Sequence, residues 1–196
     1  MTSGDLKRAK RAIRGEVRAA RDAMPTDERE RASITIVDRV LGLDELERAG
    51  TVMAFWSFGS EVDTAPLIVA LDARGVRVAL PRIVQGDLEP CVYAPGDPVT
   101  ETAFGAWEPS GGDMLDPSEI DVVVTPALVF DRSGRRVGYG GGFYDRFFPL
   151  IRPDAARVGI GFGLQLIDEN LPSGRFDVGL DVVVTESEVL RFRLDA

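Results

Sequence analysis

The chain has 196 residues, a size that predicts one domain over 1–196. Hydrophobic residues make up 44% and charged residues 28%, enough for a packed core. The longest apolar run, 122–130, is interrupted by Thr125 and Pro126 and is too short to cross a membrane. There is no histidine and only one cysteine, Cys91, which excludes His-based triads, His metal ligands, an internal disulfide and a thiolate zinc site.

Any metal must therefore be held by oxygen ligands, for which Mg²⁺ is the natural ion. The net charge of −9 is unevenly placed: residues 1–24 hold seven Lys/Arg against three acids, a net +4, so the remainder carries −13. An acidic body argues against a nucleic-acid partner, and the polar N-terminus lacks the apolar core of a secretory signal. A cytoplasmic protein with no membrane partner is expected.

Residues 5–22 read as an amphipathic helix, with apolar positions 6, 9, 13, 17 and 20 and a basic stripe at 7, 10, 11, 14, 18 and 21 beside them. Pro25 stops it, and Thr26 is expected to cap a second helix running to about Leu41, without a full capping box. Beyond residue 50, strands and helices alternate. A strand is predicted over 51–56, a loop over 57–63, a helix over 65–73 ended by Gly75, and a strand over 76–80 stopped by Pro81. The Pro- and Gly-rich stretch 82–118 predicts short strands and loops. A buried strand follows at 120–126, then a hairpin over 129–137 around Ser133-Gly134 and a helix from about Gly142 to Pro149. Strands at 158–162 and 182–185 complete the pattern. Such alternation predicts an α/β fold: a largely parallel, Rossmann-like sheet in three layers, flanked by helices and preceded by the N-terminal ones.

The segment Gly138-Tyr139-Gly140-Gly141-Gly142-Phe143-Tyr144-Asp145-Arg146 carries the chemistry. Glycines allow close backbone approach, and consecutive amides before a helix form a cradle for phosphate oxygens. The segment is not a Walker A loop, because no Gly-Lys-Ser/Thr occurs, nor a dinucleotide fingerprint, because position 143 is Phe. The alternative is a flexible turn, against which four glycines in five residues weigh.

Together with the preceding Thr125-Pro126-Ala127-Leu128-Val129-Phe130-Asp131 and Gly134-Arg135-Arg136-Val137, this block resembles the 5-formyltetrahydrofolate cyclo-ligase family, also called methenyltetrahydrofolate synthetases. Lys10-Arg11-Ala12-Ile13-Arg14, Trp56, Glu61-Val62-Asp63-Thr64, Trp107-Glu108-Pro109 and Asp177 with Asp181-Val182-Val183-Val184-Thr185-Glu186 extend the likeness over nearly the whole chain, though 82–105 offers few matches.

The resemblance implies ATP-dependent conversion of 5-formyltetrahydrofolate, polyglutamylated forms included, to 5,10-methenyltetrahydrofolate through a phosphorylated formyl group. A monomer using ATP and Mg²⁺ is expected. It implies ATP contacts from Lys10, Arg11, Arg14, Gly138, Tyr139, Gly140, Gly141, Gly142, Phe143, Tyr144, Asp145 and Arg146. Tyr144 would orient the formyl group and Arg146 would neutralise phosphate charge, the pair forming the catalytic set. Asp145 and Asp177 would hold the metal; Trp56, Glu61, Trp107 and Gln165 would contact the folate.

Each residue also has a plainer reading. The basic stripe is a solvated helix face, Trp56 and Trp107 are packing residues, Glu61 is a loop charge, and Asp145 caps the helix or pairs with Arg146. The chain departs from the family at Gly141, where many members have Lys, and at Phe176, where many have His. Two other functions stand beside the cyclo-ligase: a phosphosugar or acyl-CoA enzyme of similar fold, and a non-catalytic nucleotide-binding paralogue.

Overall fold

The computed structural model describes residues 3–102 and 105–192. Helix α1 (Ser3–Asp22) is followed by α2 (Thr26–Leu41) and the single turn α3 (Asp44–Glu47). Pro25, not Thr26, is the N-cap of α2, and no side chain caps that end. Thr26 is already helical, because the fixed φ of Pro25 turns the chain into the helix without a capping hydroxyl. Strand β1 (Thr51–Met53) and helix α4 (Ala65–Ala73) come next, then β2 (Arg77–Val84), β3 (Asp87–Val92), β4 (Val99–Glu101) and β5 (Trp107–Pro109). The chain continues with β6 (Val122–Pro126), β7 (Val129–Asp131), β8 (Arg136–Val137), α5 (Phe143–Phe147), β9 (Ala156–Ile160), β10 (Leu166–Ile167), β11 (Val182–Val184) and β12 (Val189–Arg191).

Seven strands form the central sheet in the order β12-β11-β9-β6-β1-β2-β3. The five inner strands pair in parallel, while β12 and β3 close the two edges antiparallel. Both faces of the inner strands are covered, and each strand alternates between two cores. Val122, Val124, Val182 and Val184 point to the side of α2 and α4. Val123, Val183 and Met53 point to the side of Phe147 and Phe148. This is the three-layer α/β arrangement that continuous apolar strands demand. Among the described residues, no helix is long and apolar enough to cross a membrane.

Several element ends differ from the sequence pattern. Pro81 does not stop β2; it lies opposite Pro90 of β3. Pro81 is tolerated because its other neighbour, β1, has already ended, and Pro90 because β3 is the edge strand, so neither ring removes a ladder bond of the central sheet. The helix expected over 142–149 is one short α-helix followed by a 3-10 turn, Phe148–Leu150, where Pro149 prevents a longer ladder. The strand expected over 51–56 ends at Met53, and the one expected over 158–162 is shifted to Ala156–Ile160. Gly75, at φ +76°, ends α4 as expected. Val76 N–H bonds Leu71 O and Gly75 N–H bonds Asp72 O, a Schellman closure.

A second sheet, ordered β10-β7-β8, lies beyond the carboxyl end of β6. Its hairpin turn is organised by Asp131, whose Oδ1 accepts from the N–H groups of Ser133 and Arg135. Phe130 of β7 packs directly on β9. A Cβ at Gly159 would stand 2.6 Å from the Phe130 ring and 2.5 Å from Leu180. Gly159→Ala should therefore overpack the core and lower stability by about 2 kcal/mol, measured by urea unfolding; an unchanged midpoint would contradict this packing.

Candidate active site

The chain runs from β1 to β2 on one side, then returns to place β6 on the other side of β1. Ligands in open parallel sheets bind outside the carboxyl ends of the strands at such a reversal. The loop after β1 carries Trp56, Phe58, Ser60 and Glu61. The glycine segment, which follows the β7–β8 hairpin beyond β6, joins it there: Phe58 and Tyr139 pack with ring centroids 5.4 Å apart.

Helix α1 closes the site from a third direction. Ile13 and Val17 pack with Leu128, Val129 and Val137 of the second sheet. The cations on this face do the rest. Arg14 donates from Nε to the carbonyl of Gly138 at 2.6 Å. A Gly140 Cβ would only touch this guanidinium, at 3.6 Å; it is the positive φ of Gly140, +109°, that calls for glycine there. Burial pulls the Arg14 pKa down, and the Asp177 carboxylate opposes that shift. Lys10 pairs with Asp177 at 2.5 Å. Arg11 is exposed and makes no bond among the described residues. The docking face also departs from the apolar spacing: Ala20 is exposed, while Arg21 is buried.

Arg21 is 3% exposed and lacks a direct carboxylate partner among the described residues. Nε donates to Ser60 Oγ at 3.0 Å, and Nη2 to the Tyr139 hydroxyl at 3.0 Å. That hydroxyl donates to Glu61 Oε1 at 2.6 Å. The other carboxylate oxygen of Glu61 accepts from the Phe58 N–H at 3.1 Å. Glu61 is 7% exposed, and desolvation raises its pKa against the opposing pull of Tyr139, the Phe58 amide and Arg21. The same desolvation, with the negative charge of Glu61, keeps the Tyr139 hydroxyl protonated by moving its pKa well up. Sequence reasoning placed Arg21 only in a solvated stripe. The signal that would have found it is its i+7 spacing from Arg14, which puts it on the docking face.

Tyr144 is half-buried, with its ring 5.9 Å from that of Phe148, and desolvation raises its pKa too. Arg136 lies beneath it with its side chain only 5% exposed. Arg136 donates to Asp145 Oδ1 at 2.9 Å and to Val178 O at 2.5 Å, and stacks on Phe148. Asp145 Oδ1 also accepts from the Val178 N–H at 3.1 Å. Thus Asp145 pairs with Arg136, not with Arg146.

Arg146, placed by sequence beside the phosphates, reaches away: Nε to Asp87 Oδ1, Nη1 to Gly141 O and Nη2 to Gly86 O, each at 2.8 Å. It ties the glycine loop to the β2–β3 hairpin. Gly141 lies against Phe143, whose ring would stand 2.5 Å from a Cβ at 141. Phe143 therefore fills the place a longer side chain would need.

Of the other expected contacts, Trp56 is half-buried and meets Tyr93 edge-on at 5.7 Å. Trp107 lies on the β4–β5 ribbon, 39% exposed. Gln165 is buried, with every polar bond to main chain: Nε2 to Ala127 O and Leu128 O, Oε1 from Phe162 N–H. It pins the ends of β6 and β9 beneath Glu61. Phe176 is 71% exposed, with the Arg175 guanidinium stacked on its ring.

Among the described residues no cluster of three or more His, Cys, Asp or Glu side chains converges as a metal cage. Asp145 and Asp177 flank the same buried cation, Arg136, and each leaves one carboxylate oxygen without a hydrogen bond. Mg²⁺ commonly keeps several waters and takes one or two carboxylates plus phosphate oxygens. The two aspartates fit that mode rather than a closed all-protein site.

The family model described as the 5-formyltetrahydrofolate cyclo-ligase family matches residues 6–186. A 5-formyltetrahydrofolate cyclo-ligase of Escherichia coli (strain K12) is 34% identical over 179 residues, 88% of this chain and 98% of the relative. One of Haemophilus influenzae is 32% identical over 179 residues, covering 88% and 95% respectively. The NMR structure of Aquifex aeolicus 5,10-methenyltetrahydrofolate synthetase superposes with a TM-score of 0.83 at 28% identity, over 95% of this chain and 94% of that one. The phosphosugar, acyl-CoA and non-catalytic readings find no support in these matches.

The Lys10–Asp177 pair makes a pH prediction. Lys10 and the Gly174 N–H outweigh burial and hold the Asp177 carboxyl below its ordinary value. Such a group contributes stability above its unfolded pKa of about 3.9. That contribution is lost as pH falls through the lower folded value. The stability gap between the native chain and Asp177→Asn should thus be largest near neutrality and shrink below about pH 4; urea melts at several pH values giving a constant gap would refute the pairing.

Proposed function

The chain belongs to the 5-formyltetrahydrofolate cyclo-ligase family, and from that premise we propose how its own residues carry the reaction. The activity is the ATP-dependent conversion of 5-formyltetrahydrofolate to 5,10-methenyltetrahydrofolate with release of ADP and phosphate. The amide-like formyl oxygen is a poor leaving group until it takes the γ-phosphoryl group. N10 of the folate then closes on the activated carbon, and phosphate departs with the former formyl oxygen.

Phosphoryl transfer of this kind requires positioning and charge neutralisation more than covalent help. The observation that carries our assignment is that one loop meets both requirements: Gly138 is held by Arg14, and its neighbour Tyr139 is held by Glu61. The loop amides of residues 138–142 face the nucleotide phosphates. Arg14 and Lys10 supply the positive charge; Lys10 exchanges Asp177 for a phosphate oxygen when nucleotide is bound. Arg14 takes the charge role that position 141 lacks. Arg146 fixes the shape of the loop through the Gly141 carbonyl and thereby acts on the reacting groups only indirectly. Arg11 contributes through the surrounding positive potential.

Glu61 accepts from the donor-rich edge of the pterin, and Trp56 forms the wall beside it. Trp107 covers the distal, glutamate-bearing part of the folate, including polyglutamylated forms. Gln165 supports this pocket from below. Tyr144, kept protonated by burial, donates to the formyl oxygen as negative charge develops there. Asp145 and Asp177 would hold a hydrated Mg²⁺ through their unbonded oxygens; that ion would supply charge neutralisation for the phosphoryl group in transfer. The chain acts as a monomer, one unit over its whole length, in the cytoplasm.

Mixing the protein with Mg-ATP and 5-formyltetrahydrofolate should generate the ultraviolet band of the methenyl product. Retained ATP binding with no product would sink this reading. Arg14→Met removes a charged contact and should raise the KM for ATP at least about tenfold; a change in thermal stability alone would make this cation structural. Asp145→Asn should lower turnover and raise the Mg²⁺ requirement. It should also destabilise the fold by roughly 3 kcal/mol, because buried Arg136 loses its counter-charge, so turnover is to be normalised to folded protein. An unaltered Mg²⁺ requirement would remove Asp145 from the metal.

A further inference from the structure

The chain Ser60–Arg21–Tyr139–Glu61 performs a task that the proposed roles leave open. Arg21 is a buried cation that reaches acidic groups only through hydroxyls. On one side Ser60 Oγ, which accepts from Arg21, donates to Asp22 Oδ1. On the other the Tyr139 hydroxyl, which accepts from Arg21, donates to Glu61 Oε1. Burying a guanidinium without a direct counter-ion is unfavourable unless its field is used nearby. The group that receives that field is Glu61. Little space adjoins it: Arg21, Phe55, Glu61, Val62, Ile160 and Gln165 are among the residues lining a cavity of only about 10 Å³.

A carboxylate in such a place does not remain charged on its own. The groups facing it are Arg21 from α1, Tyr139 from the glycine loop, Tyr144 from α5 and the Phe58 N–H from its own loop. Arg21 is the only cation among them. We infer that Arg21 and Tyr139 are positioning residues that keep the Glu61 carboxylate charged and aimed at the folate, so that the nucleotide loop itself completes the folate site. This rests on Glu61 reading the pterin edge, as proposed above. It also assigns the hydroxyl of Tyr139 a purpose within the glycine loop: the residue turns away from the phosphates to reach a carboxylate 78 positions earlier in the chain. Its ring, packed on Phe58, holds the hydroxyl in place.

The sign follows from the contacts. Burial raises the Glu61 carboxyl, while the Tyr139 hydroxyl and the Arg21 charge hold it down. Removing either contact raises it further. If folate binding needs the anion, affinity is lost as pH falls through that value, and the loss begins at higher pH in the variants. The experiment is the KM for 5-formyltetrahydrofolate and for ATP, measured against pH, in the native chain and in Tyr139→Phe, Arg21→Met and Glu61→Gln. Tyr139→Phe keeps the ring against Phe58, and Arg21→Met keeps the aliphatic length, so circular dichroism should report a native fold for at least one.

Tyr139→Phe should raise the folate KM roughly tenfold at neutral pH, with a much smaller change in the ATP KM and the acid limb displaced upward. Arg21→Met should displace it in the same direction. Glu61→Gln gives the titration of the substrate alone, without the protein's acid limb. A Glu61→Gln chain with native folate affinity would overturn the reading of Glu61 itself. An impaired Glu61→Gln chain, beside Tyr139→Phe and Arg21→Met with the native folate KM and native acid limb, would overturn the positioning role and leave that reading intact.

Discussion

A loop made mostly of glycine has few side chains with which to hold its own shape, and everything at this site depends on how that deficit is met from outside. The Arg14 guanidinium fixes the Gly138 carbonyl, Tyr139 is held between Arg21 and Glu61, and Arg146 returns to the Gly141 carbonyl. The helix that follows the loop is only five residues long, so its dipole offers little. The positive potential comes from cations borrowed from α1, which share the shaping of the loop with Glu61 and Arg146. In most parallel α/β sites a long helix after the first strand performs this task; here a helix from the start of the chain substitutes for it.

The buried Arg136 plays the matching role on the opposite side of the loop. It lies against Phe148, bonds Asp145 and Val178, and stands in the field of Asp177. Burial pulls its pKa down and the two carboxylates oppose that shift. The two aspartates are therefore not an empty anionic pocket. Each is already partnered, Asp177 by Lys10 and Asp145 by Arg136, and either must share its charge with whatever arrives. A site of this type binds an ion weakly alone and more firmly when phosphates complete the shell.

Much of this architecture is legible in the residues. Of the inner strands, β6 and β11 carry unbroken valine runs, which only a sheet covered on both faces can bury, and Gly75 announces the end of α4 through the positive φ it takes. The glycine block pointed to the candidate site, through the exclusion of other phosphate motifs and through the family resemblance it carries. Short elements were legible only where a turn signal marks them, as at Ser133-Gly134 between β7 and β8. Strand β3 and the β4–β5 ribbon carry no strong period, and Pro81 reads as a stop unless its partner Pro90 and the end of β1 are known. Long-range partner choice was equally hidden. Nothing local tells that Arg146 faces Asp87, or that Gln165 serves main-chain carbonyls, since both choices are made by segments far apart in sequence. Arg21 was missed because charge suggests solvent, whereas its helical position places it in the interface.

The separations across the α1 contacts have a consequence for biosynthesis. Arg21 meets Tyr139 across 118 residues, Arg14 meets Gly138 across 124, and Lys10 meets Asp177 across 167. Helix α1 is synthesised before every segment it docks on, and its docking surface is complete only once Asp177 has followed. Until then Ile13, Val17 and the cations beside them remain without the partners they have in the native fold. The sheet waits as well, because β9, β11 and β12 all follow the glycine loop. Site and sheet are thus finished by the same late stretch of chain, and an incompletely translated copy lacks both.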